Sequence, residues 1–471
     1  MTGGRGLVFR DVEVDGRRVD VRVAGGVIEG VGSDLPAAGA EVVDGGGGAL
    51  VPGLHDHHIH LLATAAAEAS VPVGPADVGD AAGLAAALRG AAARTPPGGW
   101  VRAVGYHESV AGDLDRATLD QWVPDTPVRV QHRTGGLWML NGAALAAVAP
   151  IPADDGDGPG TSADTGRFFR ADRWLADRWP TVDLDLAALG RRLAAYGVTG
   201  VTDATPFATP DGPRRLGAAV AAGDLPQHVT MMGGPALVGT PAPPGLTPGP
   251  VKLLLHDHDL PPLDVVVGWV SWAHGAGRPV AVHSVTLDAL VVTIAALQDA
   301  GPMAGDRIEH AAIVPPAFVA HLLDLGVAVV TQPSFVRERG DGYLTEVDEA
   351  EQPDLWRCGT LASAGVPVAA GTDAPYGPLD PWVAIRAATT RRTRAGVPLG
   401  PDEAVPPRTA LALFLGPADR PGGPPRRVVP GAPADLALLR APLADAIAEG
   451  PGRAEPPVRR TYRAGAQLPA P

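Results

Sequence analysis

Eight short apolar segments run through this chain, and stretches rich in alanine and leucine separate the later ones. The segments read LVPGLHDHHIHL, VTGVTDAT, QHVTMM, PVKLLLH, RPVAVHSV, DRIEHA, VAVVTQP and VPVAAGTDAP. Apolar runs of this length are typical of parallel strands that helices cover on both faces. Eight such units predict an α/β protein, a (β/α)8 TIM-type barrel. The count requires that residues from about 64 to 190 form an insertion between the first two strands.

The two ends of the chain have a different pattern. The first stretch, GLVFRDVEVDGRRVDVRVAGGVIEGVG, alternates apolar and polar residues, with glycine and aspartate where turns are expected. Near the other end, RRVVPGAPADLALLRAP and PPVRRTYRAGAQ again have the pattern of strands. We therefore expect short antiparallel strands outside the barrel.

Composition excludes several classes of partner. A formal net charge of -14 opposes binding to nucleic acid or to an anionic membrane. We expect no signal peptide and no membrane span, because no long uninterrupted apolar segment occurs. The single cysteine, Cys358, excludes an internal disulfide and fits a cytoplasmic protein. The expected partner is a small-molecule substrate, and a homodimer is the base-rate expectation for the assembly.

Lys252 is the only lysine in the chain, beside 37 arginines. Arginine and lysine are nearly interchangeable on a solvated surface, but only an amine can lose its proton and react. Lys252 is therefore either a remnant of a compositional bias or a residue whose amine is needed. The composition of the chain alone does not distinguish these two interpretations.

Polar residues fall near the carboxyl ends of predicted strands, where barrel active sites are built. A single histidine or aspartate at such a place usually makes only a hydrogen bond or caps a helix. Several of them on five different strands can converge on one site although they are far apart in sequence. The set comprises four histidines, one aspartate and the lone lysine: His58, His60, Lys252, His283, His310 and Asp373.

The segments PGLHDHHIH, VAVHS, RIEH and GTDAP resemble the signature of the amidohydrolase superfamily. The stretches GYHESVAGDLDRATLDQWVPDTPVRV, LWMLNGAAL, GVTGVTDA, DRIEHAAIVPP, VVTQPSF and APADLALL are similar to amidohydrolase family 3. The resemblance extends over essentially the whole chain. It implies one β-sandwich formed from residues 1–53 and the end of the segment 401–471, which also holds the last helix. Residues 54–400 would be the metal-dependent barrel with its insertion.

The resemblance also implies roles for the convergent residues. All six would be ligands of divalent metal, and Lys252 would bridge two ions after its amine reacts with carbon dioxide to form a carbamate. Asp373 would in addition carry the proton, and His283 or His310 could polarise the substrate carbonyl. Nitrogen and oxygen ligands suit zinc, with two ions favoured over one. The loop LLLHDHDLPPLD departs from the Asp-Gly-Ser type of stretch that follows this lysine in many relatives, which leaves the number of ions open.

The implied activity is hydrolysis of a carbon–nitrogen bond, in an amide or cyclic amide of a small molecule, by metal-bound hydroxide. A deaminase of the same superfamily is the nearer alternative. Deaminases often carry a glutamate three residues after the fifth-strand histidine, whereas SVTLD follows His283 here. Glu309 should point away from its neighbour His310, because strand side chains alternate. A non-catalytic scaffold is the other alternative, although such relatives typically lose ligands.

Overall fold

The computed structural model describes residues 6–151, 161–171, 174–175, 178–179, 183–256, 259–448 and 456–470. The chain divides into two compact units. The first comprises Met1–Leu61 and Leu186–Pro471, and the second comprises Leu62–Asp185. The first unit therefore contains both ends of the chain and every residue of the predicted metal site.

Parallel strands form the centre of the first unit, which confirms the α/β prediction. Each of the eight predicted segments contains an observed strand, and one further short strand precedes the fourth. Valine is the commonest residue of these strands, which allows apolar contacts on both faces. One sheet holds Leu54–Ile59, Val198–Asp203, His228–Met231 and Leu246–Pro248; the other holds Val251–Leu254, Val280–Ser284, Arg307–His310, Ala328–Thr331 and Val368–Ala370.

Backbone hydrogen bonds join these two sheets at both edges. The amide of Lys252 donates to the carbonyl of Gly233 at 2.9 Å, just beyond the strand His228–Met231. At the other edge, the amide of Asp373 donates to His58 at 2.8 Å, and the amide of His60 donates to Ala374 at 2.9 Å. The hydrogen bonds at the second edge hold the end of the first parallel strand beside the segment that follows the last one.

Helices follow most of the parallel strands in this unit. Their ends carry the expected signals: the Thr286 side chain accepts from the amide of Ala289, and Gly326 ends its helix in the left-handed conformation. No helix among the described residues is long and apolar enough to cross a membrane. Short 3-10 turns lie at Pro235–Leu237, Gln352–Asp354 and Pro401–Glu403. The α-helices are Leu186–Ala195, Asp211–Ala222, Leu263–Gly275, Leu287–Ala300, Pro316–Leu325, Ser334–Glu346, Gly359–Ala364, Pro381–Thr390, Pro407–Ala412 and Leu443–Ile447.

Strands from both ends of the chain share one hydrophobic core. Phe9 and Tyr462 meet edge to face with their ring centroids 5.0 Å apart, and Val21, Ile28 and Leu438 belong to the same cluster. The first sheet has the strands Gly6–Val14, Arg17–Ala24, Val27–Gly32 and Ala40–Asp44; the second has Leu50–Pro52, Leu436–Leu439, Val458–Arg463 and Ala466–Gln467.

The first predicted strand is divided at Gly53. Its beginning, Leu50–Pro52, pairs with the terminal strand Leu436–Leu439 rather than with the parallel sheet. A Cβ atom at Gly53 would lie 2.3 Å from the side chain of Thr199, so only glycine fits this close approach. The chain therefore passes from one sheet to the other at this residue.

The second unit has its own six-stranded sheet and its own apolar clusters. Asn141, the only asparagine of the chain, is buried there and caps the helix Gly142–Val148 by accepting from the amide of Ala144. Its side-chain oxygen also accepts from the amide of Val128, so it joins a helix to a strand. The strands are Val71–Pro72, Val101–Tyr106, Val128–His132, Leu137–Leu140, Thr161–Ser162 and Arg167–Phe169, and the helices are Leu61–Glu68, Pro75–Val78, Ala81–Arg94, Glu108–Ala111, Arg116–Trp122 and Gly142–Val148.

Candidate metal centre

His58, His60 and Asp373 meet beyond the carboxyl ends of the first and last parallel strands. The Nε2 atoms of His58 and His60 lie 3.4 and 3.3 Å from the same oxygen, Oδ1 of Asp373. One potential ligand atom from each residue lies within 4.8 Å of the others. His58 and Asp373 are buried and His60 is half-buried. Two imidazoles and one carboxylate thus form a candidate metal site.

Asp373 reaches this position through an unusual backbone conformation. The strand Val368–Ala370 ends three residues earlier, and Asp373 has a φ of 54°. A left-handed conformation at a residue other than glycine costs of order 1–3 kcal/mol and often occurs at functional sites. Its amide is held by the carbonyl of His58, so the backbone that carries the carboxylate is fixed against the strand that carries the imidazole.

His283 and His310 lie next to His58. The ring centroid of His310 is 4.8 Å from that of His58 and 4.5 Å from that of His283. The Nδ1 atom of His310 is 2.8 Å from Oε1 of Gln332, which fixes the orientation of its ring. The structure therefore brings all four predicted histidines into one group.

Lys252 is buried beside these histidines, with 2% of its surface exposed. Its Nζ atom has no hydrogen-bond partner among the described residues. Burial lowers the pKa of Lys252 to about 8, and the charges of Glu309 and Asp373 only partly oppose this effect. The interpretation of Lys252 as a leftover surface residue is therefore wrong.

Burial also keeps the histidines neutral. It lowers the pKa of His58 and His310 well below the ordinary value and lowers the pKa of His283 to about 3, with the charge of Lys252 contributing in each case. A histidine must be deprotonated on the nitrogen that binds a metal. The low pKa values therefore fit metal ligands.

Glu309 is a site residue that sequence reasoning placed wrongly. Its carboxylate does not point away from the centre but makes a short contact with Nδ1 of His58. The other partner of this carboxylate is Arg307, whose Nη2 donates to Oε2 at 2.9 Å. The alternation of side chains along the strand fails here because His310, with a φ of 71°, leaves the extended conformation. Glu309 and His310 therefore both face the site. A carboxylate on the outer nitrogen of a histidine fixes its tautomer and orients the other nitrogen toward a metal.

The ring of His60 is also oriented by a hydrogen-bonding side chain, which follows the second parallel strand. Oγ1 of Thr205 lies 3.1 Å from Nδ1 of His60. The backbone amide of Thr205 is held by Asp203, which also accepts from the amide of Leu61 at 2.8 Å. The segment GVTDAT carries these residues, but nothing in its pattern shows that they would reach the first strand.

The donor atoms fit a divalent cation. Nε2 of His58, Nζ of Lys252 and Oδ1 of Asp373 are all buried, and none of them has a hydrogen-bond partner among the described residues. Buried polar atoms normally have partners, so three such atoms in a single group fit the binding of a cation. Nitrogen and oxygen donors of this kind suit zinc and similar metals. In the segment after Lys252, whose sequence differs from that of many relatives, His256 and Asp259 form a single β-bridge. Asp257 and His258 lie outside the described residues.

Comparison with known proteins shows the family of this chain. Residues 41–469 match the sequence model of the amidohydrolase family. The chain belongs to this family, which confirms both the predicted resemblance and the predicted class of enzyme.

Two curated relatives and one solved structure are similar over most of their length. An N-substituted formamide deformylase from Arthrobacter pascens is 26% identical over 88% of this chain and 89% of its own length. The putative amidohydrolase YtcJ from Bacillus subtilis (strain 168) is 24% identical over 87% and 88%. An uncharacterized metal-dependent hydrolase from Pyrococcus horikoshii OT3 has a similar fold, with a TM-score of 0.73 at 20% identity over 91% of this chain and 96% of its own.

Proposed function

We propose that this chain is a metal-dependent hydrolase that cleaves a carbon–nitrogen bond, in an amide or cyclic amide, of a small molecule. The observation that carries the proposal is the convergence of His58, His60 and Asp373, with their potential ligand atoms within 4.8 Å of one another. Membership of the amidohydrolase family and the similarity to a formamide deformylase support this type of bond.

The proposed ligands are the six residues of the sequence analysis, and the proposed metal is zinc, as two ions. The chemistry of Lys252 supports the second ion. A fall in its pKa from 10.5 to about 8 raises the neutral fraction of the amine at pH 7 by roughly two orders of magnitude. The neutral amine can attack carbon dioxide and lose a proton, and the two oxygens of the resulting carbamate would be available to hold metal. No arginine could do this, which explains why one lysine persists in a chain of arginines.

The residues of the site would have different roles in the hydrolysis. A divalent metal here would lower the pKa of a water molecule toward neutrality. Asp373 would accept a proton from that water and deliver it to the leaving nitrogen, acting first as base and then as acid. His283 or His310 would help to polarise the substrate carbonyl. The contact from Glu309 would keep the Nε2 atom of His58 directed into the centre.

The fold that we propose for this site is a closed (β/α)8 barrel with a β-sandwich made of both chain ends. The hydrogen bonds at both edges of the two parallel sheets support closure, and the core shared by Phe9 and Tyr462 supports one terminal domain. In this proposal residues 54–400 form the barrel, with an insertion at about 64–190, and residues 1–53 and 401–471 supply the sandwich and the last helix.

The alternatives are less well supported. A deaminase would need an acidic group near the substrate, but the carboxylate of Glu309 is engaged by Arg307 and His58. A non-catalytic scaffold would not need a buried amine without a hydrogen-bond partner at Lys252.

The test is a hydrolysis assay on purified protein loaded with zinc. The panel should contain N-substituted formamides first, because of the curated relative, then simple amides, cyclic amides, lactones and amino-substituted heterocycles. We expect turnover of at least one amide-type substrate and a rate roughly 10²–10⁴-fold lower in the Asp373→Asn variant at the same metal content. Ammonia release from the heterocycles alone would favour the deaminase, and inactivity across the panel with less than one metal per chain would favour the scaffold.

A further inference from the structure

The helix Leu263–Gly275 exposes an apolar face to solvent. Its inner side packs through Val266, Val270 and Ala273, which are fully buried. On another side Val265, Trp269 and Trp272 are 38%, 37% and 47% exposed. Residues spaced by three and four positions lie on one face of a helix. We call Val265, Gly268, Trp269 and Trp272 the tryptophan stripe.

The two following helices of the chain each expose one large apolar side chain as well. Leu263, Val291 and Leu323 are 39%, 42% and 46% exposed, and they lie on the helices Leu263–Gly275, Leu287–Ala300 and Pro316–Leu325. Six of the eleven large apolar side chains that the described residues expose belong to these three helices. Exposed apolar side chains are therefore most frequent on these three helices, which follow one another in the chain.

The charge of this surface limits what can cover it. None of the three helices contains lysine or arginine, so it has no means of attracting an anionic membrane. The tryptophan stripe has no charged residue, and Asp264 is the only carboxylate of its helix. A strongly charged protein partner would find no charge to pair with on the stripe itself. An uncharged face is complementary to itself, which is what a two-fold interface requires.

We propose that the tryptophan stripe is the centre of a homodimer interface, in which a second copy of this chain packs the same helix in the antiparallel direction. Two chains with a net charge of -14 repel each other, so they must meet where charge is sparse. A helix of 13 residues is about 20 Å long, and the antiparallel arrangement puts the two Asp264 carboxylates near opposite ends, beyond the Debye length of about 8 Å. A Cβ atom at Gly268 would meet nothing within 4 Å, so this position of the stripe is open to solvent and accepts a side chain.

The tryptophan stripe offers part of the apolar area that such a dimer needs. If a large side chain has roughly 200 Å² of surface, Val265, Trp269 and Trp272 at about 40% exposure offer about 240 Å². A standard interface buries about 800 Å² per partner, of which about 60% is apolar, or about 480 Å². The stripe therefore supplies about half of this apolar area, which fits the centre of an interface that the surrounding surface completes.

Sedimentation velocity at micromolar concentration tests the proposal. We expect the parent to sediment as a dimer of the 48.0-kDa chain and the double variant Trp269→Glu/Trp272→Glu to sediment as a monomer. Central tryptophans dominate many interfaces, so the dimer dissociation constant should rise at least about 100-fold. The control, Val42→Glu, changes a side chain that is 53% exposed in a terminal strand and should leave the dimer intact. A monomeric parent, or a folded double variant that remains dimeric, would overturn the proposal.

A cross-linking experiment avoids dependence on the folding of the double variant. Cys358 is buried, so a cysteine introduced on the surface is the reactive one. Gly268→Cys should give a disulfide-linked dimer under mild oxidation, whereas Ala395→Cys, at another exposed position, should not. Absence of the cross-link at position 268, or equal cross-linking at position 395, contradicts the antiparallel arrangement.

Discussion

Replacing Lys252 with methionine should remove activity and at the same time stabilise the metal-free protein. The folded chain holds this amine in a buried place where its pKa falls from 10.5 to about 8. Each pKa unit corresponds to 1.36 kcal/mol, so the buried ammonium costs about 3 kcal/mol at pH 7. Methionine has a similar length, carries no charge and removes this cost. Urea unfolding of both proteins in buffer free of metal and carbon dioxide measures the difference in the free energy of unfolding.

The change of the free energy of unfolding with pH provides a second test of this prediction. Between pH 8 and about 10.5 the unfolded lysine binds a proton that the folded lysine has lost, so the stability of the parent rises with pH in this window. The advantage of Lys252→Met should therefore be full below pH 8 and should shrink as the pH approaches 10.5.

Lys252→Arg is the matched control, because it keeps the charge. It should be inactive like the methionine variant, but it should remain at least as unstable as the parent at pH 7, and it should gain nothing above pH 8. A surface lysine would tolerate both changes within about 0.5 kcal/mol. If Lys252→Arg binds metal and hydrolyses substrate like the parent, the role assigned to this lysine is wrong.

Three further predictions concern the same centre. Asp373→Asn should keep the circular dichroism spectrum and lower kcat by about 10²–10⁴-fold, because it removes the proton carrier; a rate like that of the parent would exclude this role. Glu309→Gln should weaken zinc binding by about 10–100-fold in a competition with a chelator. Glu403→Gln, at another buried carboxylate that pairs with an arginine, Arg357, should leave zinc affinity unchanged, and equal losses in both variants would show a merely structural effect. Dialysis against a chelator should remove activity and added zinc should restore it; activity that persists in metal-free protein would contradict a metal-dependent reaction.

The sequence was sufficient to predict the elements that repeat a simple pattern. Every strand of the two central parallel sheets, except the short strand Leu246–Pro248, lies in a segment identified by its apolar run. Lys252 stood out because its background is almost entirely arginine, and the spacing of His58 and His60 indicated a common direction. These signals are local, so they can be read without knowledge of the three-dimensional contacts.

The supporting residues could not be found in this way. Glu309 contacts His58 across 251 positions, and the φ of 71° at His310, which the alternation rule does not include, turns His310 to the same side. Gly53 is needed because Thr199 packs against it, and this contact appears only when the strands are assembled. Long-range polar contacts and departures from extended backbone have no signature in the surrounding letters.

Anomalous diffraction at the zinc absorption edge tests the central claim most directly. Crystals of the zinc-loaded protein should show one peak with Nε2 of His58 and of His60 at about 2.0–2.1 Å. A second peak should lie beside His283 and His310, with density for a carbamate on Lys252 between the two. A crystal of active protein that lacks a peak at His58 and His60, or that binds its metal at another place, would contradict the account.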